Sequence, residues 1–410
     1  MILTSARWLS VLMVLSLFFS TALISISESL LLVLFLILLV KNKTLEQIKS
    51  SIYPLAVKVG LVLLALIFIQ TLTSPEKFSI AISHFTKYRE LLLLPVLVFV
   101  LNNSQWKKII YYSFLAGIVM MLMHSYMQYF ILADASSDDI EKYTSFVGRI
   151  AGAIMLAFAC YAFLEEALKN KTTINFWLWL GLFILSSFAL LFFYNGRTGI
   201  LIYLILFIIW GFRFLGVKGS LITSFIMLIL LVIIFQSSEE VRERTKQTQR
   251  QLSSLFNSEH PEDVKEIKGV VKEGVLSREV MYLRVFAMIK QRSIIENIFG
   301  SGTGSLNYHS QKKQYEVENP HNEYLLIFYE NGIAGLMLLL GFFFFAWYQS
   351  NQLDEHEKWL LRALVITFTI GSLVNSLLLD NKEAHFYILL LAALIPVTNT
   401  SNKSVANKAV

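Results

Sequence analysis

Residues 219–235, GSLITSFIMLILLVIIF, end a series of apolar segments. The chain then becomes charged for about 85 residues, from 236 to 320, before apolar segments resume at Tyr324. Apolar runs of this length are typical of membrane-spanning helices. The order of apolar and charged segments therefore predicts a polytopic membrane protein with one large extramembrane segment, and such a segment is a natural place for a functional site.

Composition supports this class and excludes others. Hydrophobic residues make up 56% of the chain and charged residues only 16%, which lies outside the range of soluble proteins. The net charge of +6 is no sign of nucleic-acid binding, because position decides what Lys and Arg mean in a membrane protein. The single cysteine, Cys160, allows neither a disulfide within the chain nor a thiol metal site.

The predicted fold is all-α, with about twelve transmembrane helices and one large, mostly helical periplasmic loop. The predicted spans are 8–26, 28–41, 54–72, 89–102, 108–132, 147–165, 174–194, 197–216, 219–235, 323–348, 358–379 and 384–398. This predicts four regions: helices one to nine in 1–235, the loop in 236–322, helices ten to twelve in 323–398, and a cytoplasmic tail in 399–410.

The short loops predict the orientation. Basic residues occur in alternate loops, at Lys41, Lys43, Lys49, Lys107, Lys108, Lys169, Lys171, Arg213 and Lys218, and again in the tail. Because Lys and Arg are retained on the cytoplasmic side, both termini are predicted to be cytoplasmic and residues 236–320 periplasmic. Within that loop, we expect an exposed helix at 237–255, a turn at 257–262, an amphipathic helix at 275–295 and a flexible turn at 300–304, GSGTG.

Arg197 lies in a short turn between two spans, in the string Tyr194-Asn195-Gly196-Arg197-Thr198-Gly199. A snorkelling interfacial arginine is one interpretation. The other is an anion site, because a guanidinium beside glycine at a helix start can hold a phosphate together with the helix N-terminus. The second is favoured by the positive-inside bias, which disfavours arginine on this side.

Arg278, Arg284 and Arg292 lie along the amphipathic helix of the loop. They are either its solvated face or a group of cations that grips a lipid-borne pyrophosphate. His321 follows Pro320 and precedes the next apolar helix. It either belongs to the helix cap together with Asn322, or acts as a general base at the membrane surface. No histidine or carboxylate spacing suggests a metal site, and no nucleotide-binding loop is present in the sequence.

These strings together resemble the O-antigen ligases and the wider superfamily that they share with O-antigen polymerases. The Arg197 turn resembles the first arginine motif of the family, and Ser277-Arg278-Glu279-Val280-Met281-Tyr282 resembles the second. His321-Asn322-Glu323-Tyr324-Leu325, followed by Glu330-Asn331-Gly332-Ile333-Ala334-Gly335-Leu336, resembles the histidine motif and is the most specific of the three.

The resemblance implies glycan transfer at the periplasmic face of the bacterial inner membrane, without a cofactor or a metal. It implies an undecaprenyl-pyrophosphate-linked polysaccharide as donor and lipid A-core as acceptor. His321, Arg197 and Arg278 would be catalytic, and substrate would be bound by Arg197, Arg278, Arg284, Asn322 and Tyr282. A repeat-unit polymerase of O-antigen or capsule is the alternative within this chemistry, and a transporter of lipid-linked sugars is an alternative outside it. The oligomeric state is not indicated by the sequence.

Overall fold

The computed structural model describes residues 1–41, 51–132, 144, 146–237, 278–313, 315 and 317–396. Over these residues the chain is helical and contains no strand, as predicted. The first nine helices are α1 Ile2–Ser16, α2 Thr21–Lys41, α3 Leu55–Leu72, α4 Phe78–Thr86, α5 Glu90–Val100, α6 Ser104–Leu132, α7 Arg149–Lys169, α8 Asn175–Phe188 and α9 Arg197–Ser237. They are followed by α10 Arg278–Lys290, α11 Ile294–Phe299, α12 Ser305–Lys312, α13 Glu323–Gln349, α14 Glu355–Gly371 and α15 Asn381–Leu394.

Seven helices in the described ranges are long and apolar enough to cross a membrane. They are Thr21–Val40, Leu55–Leu72, Ser104–Ile131, Arg149–Lys169, Asn175–Tyr194, Arg197–Ile226 and Glu323–Gln352. The count of about twelve spans stays a prediction, as does the periplasmic position of residues 236–322. The helix expected at 237–255, the turn at 257–262 and the tail at 399–410 lie outside the described residues, apart from Ser237 at the end of α9.

The predicted spans 8–26, 28–41 and 358–379 have wrong boundaries, and the second of them begins seven residues too late. The span 8–26 is broken, because α1 ends at Ser16 and α2 begins at Thr21. The span 358–379 is too long, because α14 ends at Gly371 and residues 372–380 are not helical. In both places apolar residues continue across the break, so a hydropathy average over the segment does not reveal where the helix ends. In contrast, α9 breaks at Gly216, where φ is +62°, close to the predicted boundary between two spans.

The contacts between helix termini fall into two groups, one at each end of a single helical bundle. At the site end, which carries His321, Asn375 bonds Thr198, Tyr88 bonds Glu323, and Gln70 bonds the carbonyl of Phe299. At the opposite end, Lys107 donates to the carbonyl of Ile395, Arg213 pairs with Glu165, and His356 lies 3.3 Å from Glu166. Several of the basic residues that predicted the cytoplasmic side thus lie away from His321.

The turn at 300–304 was expected to be flexible, and this prediction is wrong. Gly302, Thr303 and Gly304 are buried. The amide of Gly302 donates to the carbonyl of Glu330 at 3.0 Å, and the amide of Gly304 donates to the Glu330 carboxylate at 2.9 Å. Helix α13 kinks at Gly332, where φ is +66° and an added Cβ would lie 2.3 Å from the carbonyl oxygen of Ile298 in α11 and 2.6 Å from the amide nitrogen of Gly300. The turn and the kink therefore pack against each other and hold α11 and α12 on the bundle.

Candidate active site

Helix α10 packs on the start of α13 and carries the second arginine motif. Its buried face contains Met281, Val285 and Met288, which pack against α12 and α13. The amphipathic helix predicted at 275–295 ends earlier than expected, at Lys290, and it packs on the bundle because its apolar residues find protein partners there. Arg278 is the first residue of this helix, and its Nη2 donates to Oδ1 of Asn375 at 3.2 Å.

His321 has an unusual backbone conformation that its neighbours enforce. Oδ1 of Asn319 accepts a hydrogen bond from the His321 amide at 2.8 Å, which forms an Asx turn around Pro320. His321 then adopts a φ of +51°, in the left-handed region. Asn322 caps α13 by accepting from the Leu325 amide at 2.9 Å. A non-glycine residue in this region is uncommon and such strain concentrates at functional sites, so the conformation marks His321 as a candidate.

A short segment between α14 and α15, residues 372–376, connects the sequence motifs. Asn375 accepts from Arg278 and donates from Nδ2 to Oγ1 of Thr198 at 2.9 Å, and its side chain is buried. Ser376 donates to Oδ1 of Asn319 at 2.8 Å, the same oxygen that holds the His321 amide. The segment therefore joins both arginine motifs and the histidine motif.

The Arg197 turn is held close to α7 by small residues. It follows a π-helix, Ala189–Tyr194, and Asn195 has a φ of +36°. An added Cβ at Gly196 would lie 2.7 Å from Cβ of Ala153, and one at Gly199 would lie 2.5 Å from its carbonyl oxygen. Arg197 begins α9 and is exposed at that helix start. The next residue, Thr198, is the one that bonds Asn375, so Arg197 lies in the same region as Arg278.

The remaining predicted substrate-binding residues make mostly internal contacts. The amide of Asn322 is engaged at both ends, because Nδ2 also donates to the carbonyl of Leu373 at 2.9 Å. The Tyr282 hydroxyl lies 3.5 Å and 3.4 Å from the carbonyls of His321 and Leu373. Arg284 donates to the carbonyl of Tyr315 and stacks on its ring, on another side of α10 from Arg278. The structure thus groups Asn322 and Tyr282 with His321, whereas the contacts of Arg284 are with Tyr315.

The electrostatics of His321 suit a base. His321 is exposed at the surface of the protein, but the atoms packed around its imidazole ring still remove part of the water that would stabilise a charged ring. This shielding, followed by the positive charge of Arg278, lowers the pKa of His321 below its ordinary value of about 6.5. The imidazole makes no hydrogen bond within the described parts of the chain. At neutral pH it is therefore uncharged and able to accept a proton.

The sequence interpretation missed Asn375 and Ser376. A signal was present in the string Gly371-Ser372-Leu373-Val374-Asn375-Ser376, which places four small or polar residues inside an apolar run. Such clusters break helices, and the break lies at the end of the bundle that carries the three motifs.

The fold and this site define a multi-pass helical membrane protein whose arginine and histidine motifs meet at one end of the bundle. A comparison with protein families finds one similarity: residues 181–340 of the chain match the model of the O-antigen ligase domain. The match begins in α8, ends in α13, and includes Arg197, Arg278 and His321 but not Asn375. No curated protein matches the chain. Over the matched residues the chain is thus similar to O-antigen ligases, which supports an enzyme of the ligase or polymerase type.

Proposed function

We propose that the protein is an inverting, metal-independent glycosyltransferase that ligates undecaprenyl-pyrophosphate-linked O-antigen to lipid A-core. It would act at the periplasmic face of the inner membrane. The family match supports the general class of reaction, and the grouping of His321 with the arginine motifs supports the mechanism. The observation that carries the proposal is the pair of hydrogen bonds by which Asn375 joins Arg278 to Thr198, the residue after Arg197.

The proposed reaction is a single displacement at the anomeric carbon. His321 removes the proton of an acceptor hydroxyl while that oxygen forms a bond to the anomeric carbon. The bond from this carbon to the pyrophosphate oxygen breaks, and the electron pair leaves with the pyrophosphate. Arg197 and Arg278 neutralise the charge that develops there, because guanidinium groups stay charged and donate two hydrogen bonds at once.

Asn322 and Tyr282 are proposed to position the site. Asn322 fixes the start of α13 and Tyr282 lies next to the backbone of His321, so both define where the imidazole sits. Arg284 is proposed only as a more distant contact of the glycan, because its guanidinium is already engaged by Tyr315.

Deletion of the gene tests the ligase against the polymerase. Loss of a ligase leaves lipid A-core without polymer while lipid-linked polymer accumulates, and lipopolysaccharide gels detect both. Loss of a polymerase leaves core that carries at most one repeat unit. Unchanged lipopolysaccharide together with unchanged lipid-linked glycan would refute both. Purified protein that transfers equally well in EDTA would support the metal-independent step.

A further inference from the structure

A cavity of about 600 Å³ lies at the site end, where three helices begin. Its lining includes Thr21 at the start of α2, Arg149 at the start of α7, and residues 380–383 at the start of α15. It adjoins both parts of the proposed transfer site. Asp380 ends the non-helical segment that contains Asn375, and an added Cβ at Gly196, beside Arg197, would lie 3.6 Å from the Arg149 carbonyl.

Three acceptor groups in this lining lack their usual partners. Asp380 occupies the N-cap of α15, but its carboxylate accepts no capping hydrogen bond. Oδ1 of Asn381 is buried without a hydrogen-bonding partner. Glu383 is only 7% exposed, and no other residue in the described part of the chain donates a hydrogen bond to its carboxylate. Buried acceptors are normally paired, so the unpaired Oδ1 of Asn381 points to a ligand, and Asp380, which is exposed, and Glu383 flank it in the same lining.

Helix electrostatics explain only part of this arrangement. Acidic residues in the first turn stabilise a helix through its dipole, which accounts for the charge of Asp380 and Glu383. It does not account for the burial of Glu383 beside a cavity or for the missing cap at Asp380, because a capping aspartate gains its stability from that hydrogen bond.

The acceptor oxygens of Asp380, Asn381 and Glu383 indicate which kind of ligand would bind. Carboxylate and amide oxygens need donors, whereas an anionic phosphate or carboxylate ligand offers few at neutral pH and would be repelled by Asp380 and Glu383. A cationic ligand is disfavoured because Arg149 and Lys382 also line the cavity. Two carboxylates and two cations suit a neutral ligand that both donates and accepts, and sugar hydroxyls do both. The volume falls within the range of small-ligand sites.

We propose that this cavity is a sugar-binding subsite beside the transfer site, in which Asp380, Asn381 and Glu383 accept hydrogen bonds from hydroxyl groups. The inference rests on the proposed glycan transfer, and the sugar can come from either of two sources. It is the terminal saccharide of the acceptor or the first saccharide of the donor.

Direct binding to the purified full-length protein tests the subsite. The probes are lipid-free core oligosaccharide and lipid-free repeat-unit oligosaccharide, measured by calorimetry in detergent. Glu383→Gln keeps the shape of the side chain and removes the charge, and we expect it to weaken binding of one probe about tenfold or more. Glu318→Gln is the matched control, since Glu318 is an exposed carboxylate at the same end of the bundle, and it should bind like the parent. Asp380→Asn is the second variant if Glu383→Gln does not fold.

Transfer kinetics then identify the source of the sugar. A raised KM for acceptor with an unchanged KM for donor assigns the subsite to the acceptor, and the reverse assigns it to the donor. Unchanged affinity and unchanged KM values in both variants would overturn the subsite while leaving the proposed transfer intact. Binding that EDTA abolishes would also overturn it, in favour of a cation site. A parent protein that binds the oligosaccharide but never transfers it would refute the proposed function alone.

Discussion

Replacing His321 with glycine separates the chemical role of the imidazole from its structural role. His321 has a φ of +51°, and the left-handed conformation costs a non-glycine residue about 1–2 kcal/mol. Glycine avoids that cost but loses about 0.5–1 kcal/mol through the greater freedom of the unfolded chain. The imidazole is exposed and makes no hydrogen bond among the described residues, so little packing is lost. We therefore expect the free energy of unfolding to stay unchanged or to rise by up to about 1.5 kcal/mol.

The transfer rate should change in the opposite direction. Without a base, transfer by the purified His321→Gly protein should fall about 100- to 10,000-fold, the range for a positioned proton transfer. Thermal unfolding in detergent and in vitro transfer measure the two effects on one sample. Asn195→Gly is the control, because it relieves a second left-handed residue, with φ +36°, without removing the base. Transfer by His321→Gly within a few-fold of the parent would refute the base, and a large loss of stability would refute the strain argument.

Three further outcomes are expected. Asn375→Leu should lower the transfer rate about 10- to 100-fold, because it removes both hydrogen bonds that join the arginine motifs, and unchanged kinetics would show that this link is dispensable. Arg278→Gln should move the acid limb of the pH–rate profile to higher pH, because loss of the positive charge raises the pKa of His321. Arg278→Lys keeps the charge, so it should leave that limb in place while restoring little activity. Gly332→Ala should destabilise the protein more than Gly216→Ala in thermal unfolding, since both glycines have positive φ but only Gly332 has backbone atoms within 3 Å of an added Cβ.

Much of the fold could be predicted because a membrane-spanning helix needs a long run of apolar residues, which is visible in the sequence. The all-α class and most helix positions follow from that signal, and the His321 cap was visible in Asn319-Pro320-His321-Asn322. The turn residues there encode their local structure through their own side chains, so no tertiary information is needed.

The segment 372–376 could not be predicted in the same way. Leu373 and Val374 keep the local hydropathy high, so the end of α14 at Gly371 is hidden in an apolar run. The role of Asn375 depends on Thr198, which lies 177 residues away in the sequence. A single sequence contains the residue types but not the proximity, and the same limit applies to the cavity at the start of α15.

Because Gly196 and Gly199 pack on Ala153, the position of Arg197 depends on a residue that takes no part in the proposed reaction. Ala153 is completely buried in α7, and its methyl group and carbonyl oxygen lie against the glycines on either side of Arg197. Each additional methylene at position 153 would push the start of α9 outward, and the first guanidinium with it. A genetic screen for cells that lose surface glycan should thus recover bulky substitutions at position 153, although Ala153 itself lines neither the transfer site nor the cavity.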